Sequence, residues 1–123
     1  MEEDMELQDK MRIVQELVPG KQITLCHIIA NPDDVLYTKL GLDPKTDYTR
    51  SAIGVLTVSP AESAVITADI AIKSSGAEIG FVDRFTGTLI ISGSVSSVES
   101  AFTAIRAYFT DKLHYTCCEL TRT

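Results

Sequence analysis

The chain has 123 residues, of which 45% are hydrophobic and 23% charged, with three cysteines and no tryptophan. Its net charge of −6 excludes the Lys- and Arg-driven phosphate contacts that dominate nucleic-acid binding, and it opposes attraction to anionic membrane surfaces. No apolar run approaches the roughly 20 residues that a membrane-spanning helix needs. An odd cysteine count makes no disulfide framework, so free thiols in a reducing cytoplasm are expected.

Residues 1–10 concentrate Glu2, Glu3, Asp4, Glu6 and Asp9. They read as a solvated acidic tail, and the lack of an apolar stretch there leads us to expect no secretory signal. Residues 11–20 hold a first strand. In 12–18 (RIVQELV) Ile13 and Leu17 flank Gln15 on one face, while Val14 and Val18 flank Glu16 on the other, before the Pro19-Gly20 break. Residues 21–123 then read as one domain. A strand is expected over 22–29, followed by a helix over 31–40 with Asn31 as N-cap, Pro32 in the first position and Gly41 as the stop. Residues 43–50 are polar and read as a loop.

The run 52–58 (AIGVLTV) is apolar almost throughout, as in a strand buried on both faces. Ser59-Pro60-Ala61-Glu62 predicts a capping box. The helix it opens places Ala61, Ala64, Val65, Ala68, Ala71 and Ile72 on one face at helical spacing. A strand over 78–83, a tight loop at 85–87 and a returning strand over 88–92 follow. Ser94 is expected to cap a second long helix with Val98, Ala101, Phe102, Ile105 and Phe109 inward. A last strand is expected over 114–120. The fold class is thus α+β, with a ferredoxin-like β-α-β-β-α-β order from Ala52 onward and added N-terminal elements.

Candidate chemistry is sparse. Cys26-His27 and the His114, Cys117, Cys118 cluster hold zinc-type donors, but their spacing fits no common zinc site and strand alternation would send Cys117 and Cys118 to opposite faces. His27 lies in an apolar strand and reads as a satisfied core or interface histidine. Local hydrogen bonding or capping accounts for Asp69 and Asp83 better than a catalytic pair does. Gly20-Lys21 lacks the rest of a phosphate loop, and the glycines at 76 and 80 precede a strand rather than open a helix. No catalytic residue, metal ligand or cofactor site is predicted.

The stretch 51–95 (SAIGVLTVSPAESAVITADIAIKSSGAEIGFVDRFTGTLIISGSV) resembles the bacterial microcompartment shell domain. Residues 23–37 (ITLCHIIANPDDVLY) are similar to that family's closing strand and helix start, here placed first. The resemblance therefore implies a circular permutation of the kind found in shell proteins of ethanolamine and propanediol utilisation. It further implies a cyclic homohexamer that tiles into a shell in the bacterial cytoplasm. The expected partners are copies of itself, other shell proteins and enclosed enzymes. Lys73 falls at the family's hexamer–hexamer edge, and Asn31 stands where ordinary members often have an edge arginine. Arg84, Phe85, Thr86 and Gly87 fall in the region of the family's pore loop. Ser51, where some ethanolamine-type relatives carry glycine, is the expected hinge and favours a flat ring. Six copies of Ile13, Val14, Gln15, Glu16, Leu17 and Val18 are expected to close an axial β-barrel over the pore. Two other readings of the same element order remain: a ligand-sensing regulatory domain, and an enzyme with a site assembled between subunits.

Overall fold

The computed structural model describes residues 20–45 and 51–123. The two outer expectations, the acidic tail at 1–10 and the strand at 11–20, lie outside the described residues but for Gly20. The described chain is one mixed sheet with helices on both faces. Strands β1 (Gln22–Ile29), β2 (Ala52–Ser59), β3 (Glu78–Asp83) and β4 (Thr88–Gly93) carry most of it. Helices are α1 (Asp34–Lys39), α2 (Ala64–Ser74) and α3 (Val95–Asp111). Two short strands, β5 (Thr116–Cys117) and β6 (Thr121–Arg122), end it. The spatial order is β3-β4-β2-β1-β5, with β6 also on β1. The first four strands pair antiparallel, and β5 and β6 run parallel to β1. A plain ferredoxin-like order would seat the strand following α3 beside β2. Here β1, from earlier in the chain, takes that place, and the chain after α3 pairs on the far side of β1.

β2 explains the layering. Its apolar run is buried toward both faces, because each face has its own cover. Ala52, Leu56 and Val58 join the main core with α2 and α3, whereas Ile53 joins Tyr37, Leu42 and Ile90 in a second cluster under α1. The inner face of α3 is as its period requires: Val98, Ala101, Phe102, Ile105 and Phe109 are all fully buried. Ser94 caps it by accepting from the Ser97 N–H at 3.0 Å. α3 lies so close to β2 that a Cβ on Gly54 would fall 2.6 Å from Phe102 Cζ and 2.7 Å from Val98 Cγ1. Only a residue without a side chain permits that approach.

Several local expectations are corrected. The N-cap of α1 is Asp33, whose Oδ1 accepts from Val35 N–H at 3.0 Å, not Asn31. The Ala30 N–H is still committed to Thr123 O at 2.8 Å, so the chain cannot turn into helix that early. The stop at Gly41 is as read: its N–H bonds to Thr38 O and that of Leu42 to Tyr37 O, a Schellman closure sealed by the buried Tyr37 and Leu42 side chains. The capping box at Ser59 does not form. Ser59 is the last residue of β2, paired with Gln22, and Pro60 is extended, so the chain turns only at Ala61 into a short 3-10 segment with no side-chain cap. On α2, Val65 and Ile72 point outward, while Thr67 is buried and bonds back to Ala64 O at 2.6 Å. The strand expected over 114–120 is cut to β5, and β6 follows only beyond its expected end. Cys117 and Cys118 therefore do not alternate across a strand: both pack against the main core. His114 adopts φ +62 just before β5, a left-handed conformation that His tolerates better than most residues.

Replacing Gly54 by alanine should lower stability by about 1–3 kcal/mol, as overpacking does in a filled core. A urea midpoint equal to the parent's would show that α3 does not rest on β2 as described.

Candidate functional site: turn, outer helix face and thiol corner

The first candidate is the β3–β4 turn. Asp83 organises it: its Oδ1 accepts from Phe85 N–H at 2.8 Å and its Oδ2 from the Thr86 hydroxyl at 2.9 Å. These bonds, the Phe85 N–H first and the Thr86 hydroxyl next, hold the Asp83 carboxyl below the usual carboxylate range. The bonded form is thus complete above the ordinary carboxylate range and is lost only as pH falls through the lowered value. Gly87 sits at φ +78 with its N–H on Asp83 O and its carbonyl accepting from Val58 N–H, both at 2.8 Å. A Cβ there would drive into the Val58 carbonyl. This turn holds Arg84, Phe85, Thr86 and Gly87 rigidly. Phe85 is 78% exposed, with the Arg84 guanidinium 4.7 Å from its ring centre. Local bonding was the expectation for Asp83, and it is what the structure has.

The second candidate is the outward face of α2. Lys73 Nζ lies 3.0 Å from Asp69 Oδ2, one helical turn apart, with both side chains largely exposed. An acid four residues before a base is a legible signal, although such an exposed pair contributes little stability by itself. Val65, Ile66 and Ile72 are exposed on the same helix. Asn31 is exposed after the end of β1, on a different segment. Ser51, half-buried before β2, accepts from the Tyr37 hydroxyl at 3.0 Å. That tie pins the start of β2 to α1, and sequence reasoning missed it because the contact joins two elements.

The third is the corner of β1, β5 and α3. Cys26 is buried, and Cys117 and Cys118 are half-buried. Burial foremost, then the neighbouring Cys118, pushes the Cys26 thiol up to about 12. Burial also raises Cys118, against the Arg106 guanidinium. Arg106 Nε donates to Cys118 O at 2.9 Å, and the Thr110 hydroxyl lies 3.3 Å from Cys117 Sγ. Among the described residues no group of three or more His, Cys, Asp or Glu is placed to hold a metal ion. His27 is satisfied by threonines: Nδ1 is 2.6 Å from Thr121 Oγ1 and Nε2 is 2.9 Å from Thr123 Oγ1. It fastens Thr121 and Thr123 to β1 within the same chain. Its threonine partners could not be read from spacing, since they lie more than ninety positions away.

The three corners thus offer an exposed aromatic tip, an exposed apolar helix face and a thiol corner whose Cys26 is buried. The family model described as the BMC domain matches residues 52–118. The bacterial microcompartment shell protein PduU of Salmonella typhimurium is 48% identical over 112 residues, covering 91% of this chain and 93% of that protein. EutS of Escherichia coli, of the same description, is 46% identical over 114 residues, covering 93% and 98%. A solved flat hexamer of CutR is 45% identical with a TM-score of 0.78, covering 96% of this chain and 97% of that one. A screw form of CutR is 44% identical with a TM-score of 0.75, covering 85% and 100%. The chain belongs to the BMC-domain family of bacterial microcompartment shell proteins. The regulatory-domain reading finds no support in this, and no catalytic family is indicated.

Because the thiolate is the reactive form, Cys26 should resist alkylation in the native protein at pH 8 and label only on unfolding. Mass spectrometry after timed iodoacetamide treatment reads this directly. Cys26 modified as fast as Cys117 would contradict its burial.

Proposed function

We propose that this chain is a structural, non-catalytic shell protein whose copies close into a flat homohexamer and tile into a microcompartment shell in the bacterial cytoplasm. The observation that carries the reading is its similarity along nearly the whole chain to a relative solved as a flat hexamer. The surface supports it. Leu25, Val65, Ile66, Ile72, Phe81, Val82 and Phe85 are large apolar residues left exposed on a single chain, and such patches mark interfaces.

Under this reading the placement of β1 beside β2, ahead of the β-α-β unit in the chain, is a circular permutation of the shell domain. Lys73 serves the edge between hexamers, where its stem can be buried while its ammonium group bonds to a neighbour. Asn31 lies at the same edge in place of a stronger donor. Residues 84–87 face the pore, and residues 13–18 of six copies form a β-barrel that caps it, each strand satisfying the next one's backbone. Ser51, held by Tyr37, keeps one hinge angle and so a flat ring. Other shell proteins and enclosed enzymes are the further partners.

Native mass spectrometry at micromolar concentration should give a hexamer, and deleting residues 1–18 should leave that hexamer folded. Only monomer or dimer for the parent chain would sink the reading, and unfolding of the truncated chain would assign residues 13–18 to the domain's own core. Lys73→Asp should abolish extended sheets in electron micrographs while flat hexameric rings persist. Sheets like the parent's would make Lys73 an ordinary solvated helix-end residue, and rings of two hinge states would refute the role given to Ser51.

A further inference from the structure

Three thiols meet where β1, β5 and α3 adjoin, and the shell reading uses none of them. Two of them, Cys117 and Cys118, are neighbours in the chain, half-buried, and both turned to the main core rather than to opposite sides of a strand. We infer that this pair is a redox-responsive dithiol: Cys117 exchanges with a small disulfide such as oxidised glutathione, Cys118 resolves the product into a Cys117–Cys118 disulfide, and the closure frees β5 from β1. The inference does not depend on how the copies assemble.

The surroundings give these thiols different parts. Cys117 Sγ receives the Thr110 hydroxyl at 3.3 Å, while its own hydrogen finds only long contacts, to the carbonyl oxygens of Arg106 at 3.9 Å and Tyr115 at 4.0 Å. The thiolate is the attacking form, and a hydroxyl aimed at the sulfur bonds more strongly once charge is there. Burial foremost raises the Cys118 thiol, with the Arg106 guanidinium opposing. Cys118 therefore reacts second, once Cys117 carries a leaving group beside it. Cys26 is buried, and burial pushes its thiol up to about 12, which keeps it out of the exchange. In the first step the Cys117 thiolate attacks one sulfur of the small disulfide, whose S–S bond breaks and releases one thiolate. The Cys118 thiolate then attacks Cys117 Sγ, and the second small thiolate leaves. Two cysteine thiols are oxidised, one small disulfide is reduced, and the two cysteine protons end on the two small thiols.

Adjacent residues hold their Cα atoms about 3.8 Å apart, closer than the roughly 4.4–6.8 Å that disulfides ordinarily span. Such a bond is strained and readily reduced, which suits a reversible sensor rather than a permanent cross-link. Closing it also turns the peptide between the two residues, whose N–H belongs to Cys118 and bonds to Ile23 O at 3.0 Å. β5 pairs with β1 only at Gln22–Thr116 and Ile23–Cys117, so that bond is a large part of what holds it. Beyond this point the chain is fastened separately. The Thr123 N–H bonds to Ile28 O at 2.9 Å, the Ala30 N–H to Thr123 O at 2.8 Å, and His27 holds Thr121 and Thr123. Oxidation thus loosens β5 and leaves the later attachment in place.

The test is a peptide map of the full native chain held in mixtures of oxidised and reduced glutathione, with free thiols alkylated before trypsin is added. Residues 113–122 leave as one peptide carrying both cysteines, and Cys26 leaves on another. The first peptide should lose two hydrogens in the more oxidising mixtures and regain them with dithiothreitol, while Cys26 stays reduced throughout. Cys118→Ser should stop at one glutathione on Cys117, and Cys117→Ser should gain none. Hydrogen exchange should quicken at the Cys118 amide on oxidation and stay unchanged at Thr123. A disulfide from Cys26, a link between chains, no oxidation at any glutathione ratio, or a Cys118 amide as protected after oxidation as before would each overturn the inference. Should a serine variant fail to fold, the map and the exchange of the parent chain decide it by themselves.

Discussion

The structure depends on one strand being buried from both sides. β2 is central in the sheet, with β1 and β4 as hydrogen-bonded neighbours. Its two faces supply two separate cores. Leu56 and Val58 pack with α2 and α3, and Ile53 packs under α1. The close seat of α3 follows from Gly54, and the position of α1 follows from the Tyr37 hydroxyl on Ser51 and the Schellman closure that buries Leu42. Almost every other element is placed by contact with this strand or with a strand beside it.

That arrangement has a cost at the periphery. A small domain divided between two cores has little apolar material left to finish its edges. β3 is left open, α2 presents Val65, Ile66 and Ile72 to solvent, and the far edge is held by two short strands and by His27 gripping two threonines. On the proposed reading, other copies cover these residues. The thiols fit the same picture. Burial pushes the Cys26 thiol up, so at the corner that joins β1 to residues 116–122 this side chain serves as packing.

Much of this fold was legible because local rules and global structure agree. The limits of β1 follow from its β-forming residues, the inward face of α3 from helical periodicity and the two-faced burial of β2 from its nearly continuous apolar run. The misreadings share a cause, which is partners far along the chain. Asn31 loses the cap to Asp33 because Ala30 is bonded to Thr123. Ser59 is drawn into β2 by Gln22 and so cannot cap a helix. Val65 and Ile72 obey a helical period, but that period has a second solution: the apolar side can face another molecule instead of the core. The expected strand at 114–120 fails because its residues follow the edge of β1 only at Thr116–Cys117, and the next pairing comes beyond it at Thr121–Arg122. For the site, the local bonding of Asp83 could be read from its position before a turn, and the Asp69–Lys73 pair from its spacing. The ties of Tyr37 to Ser51 and of His27 to Thr121 and Thr123 could not.

The central claim is that β2 stands on its own while the sheet edges depend on other copies. Hydrogen exchange measured residue by residue, on assembled protein and on subunits dissociated by dilution, tests it most directly. The amides of Ile53, Val55 and Leu56 should be among the slowest in both samples, at the level of global unfolding. Those of Phe81 and Val82 should be protected in the assembly and exposed on dissociation. If β2 lost its protection on dissociation, or if β3 exchanged equally in the two samples, the account would be contradicted.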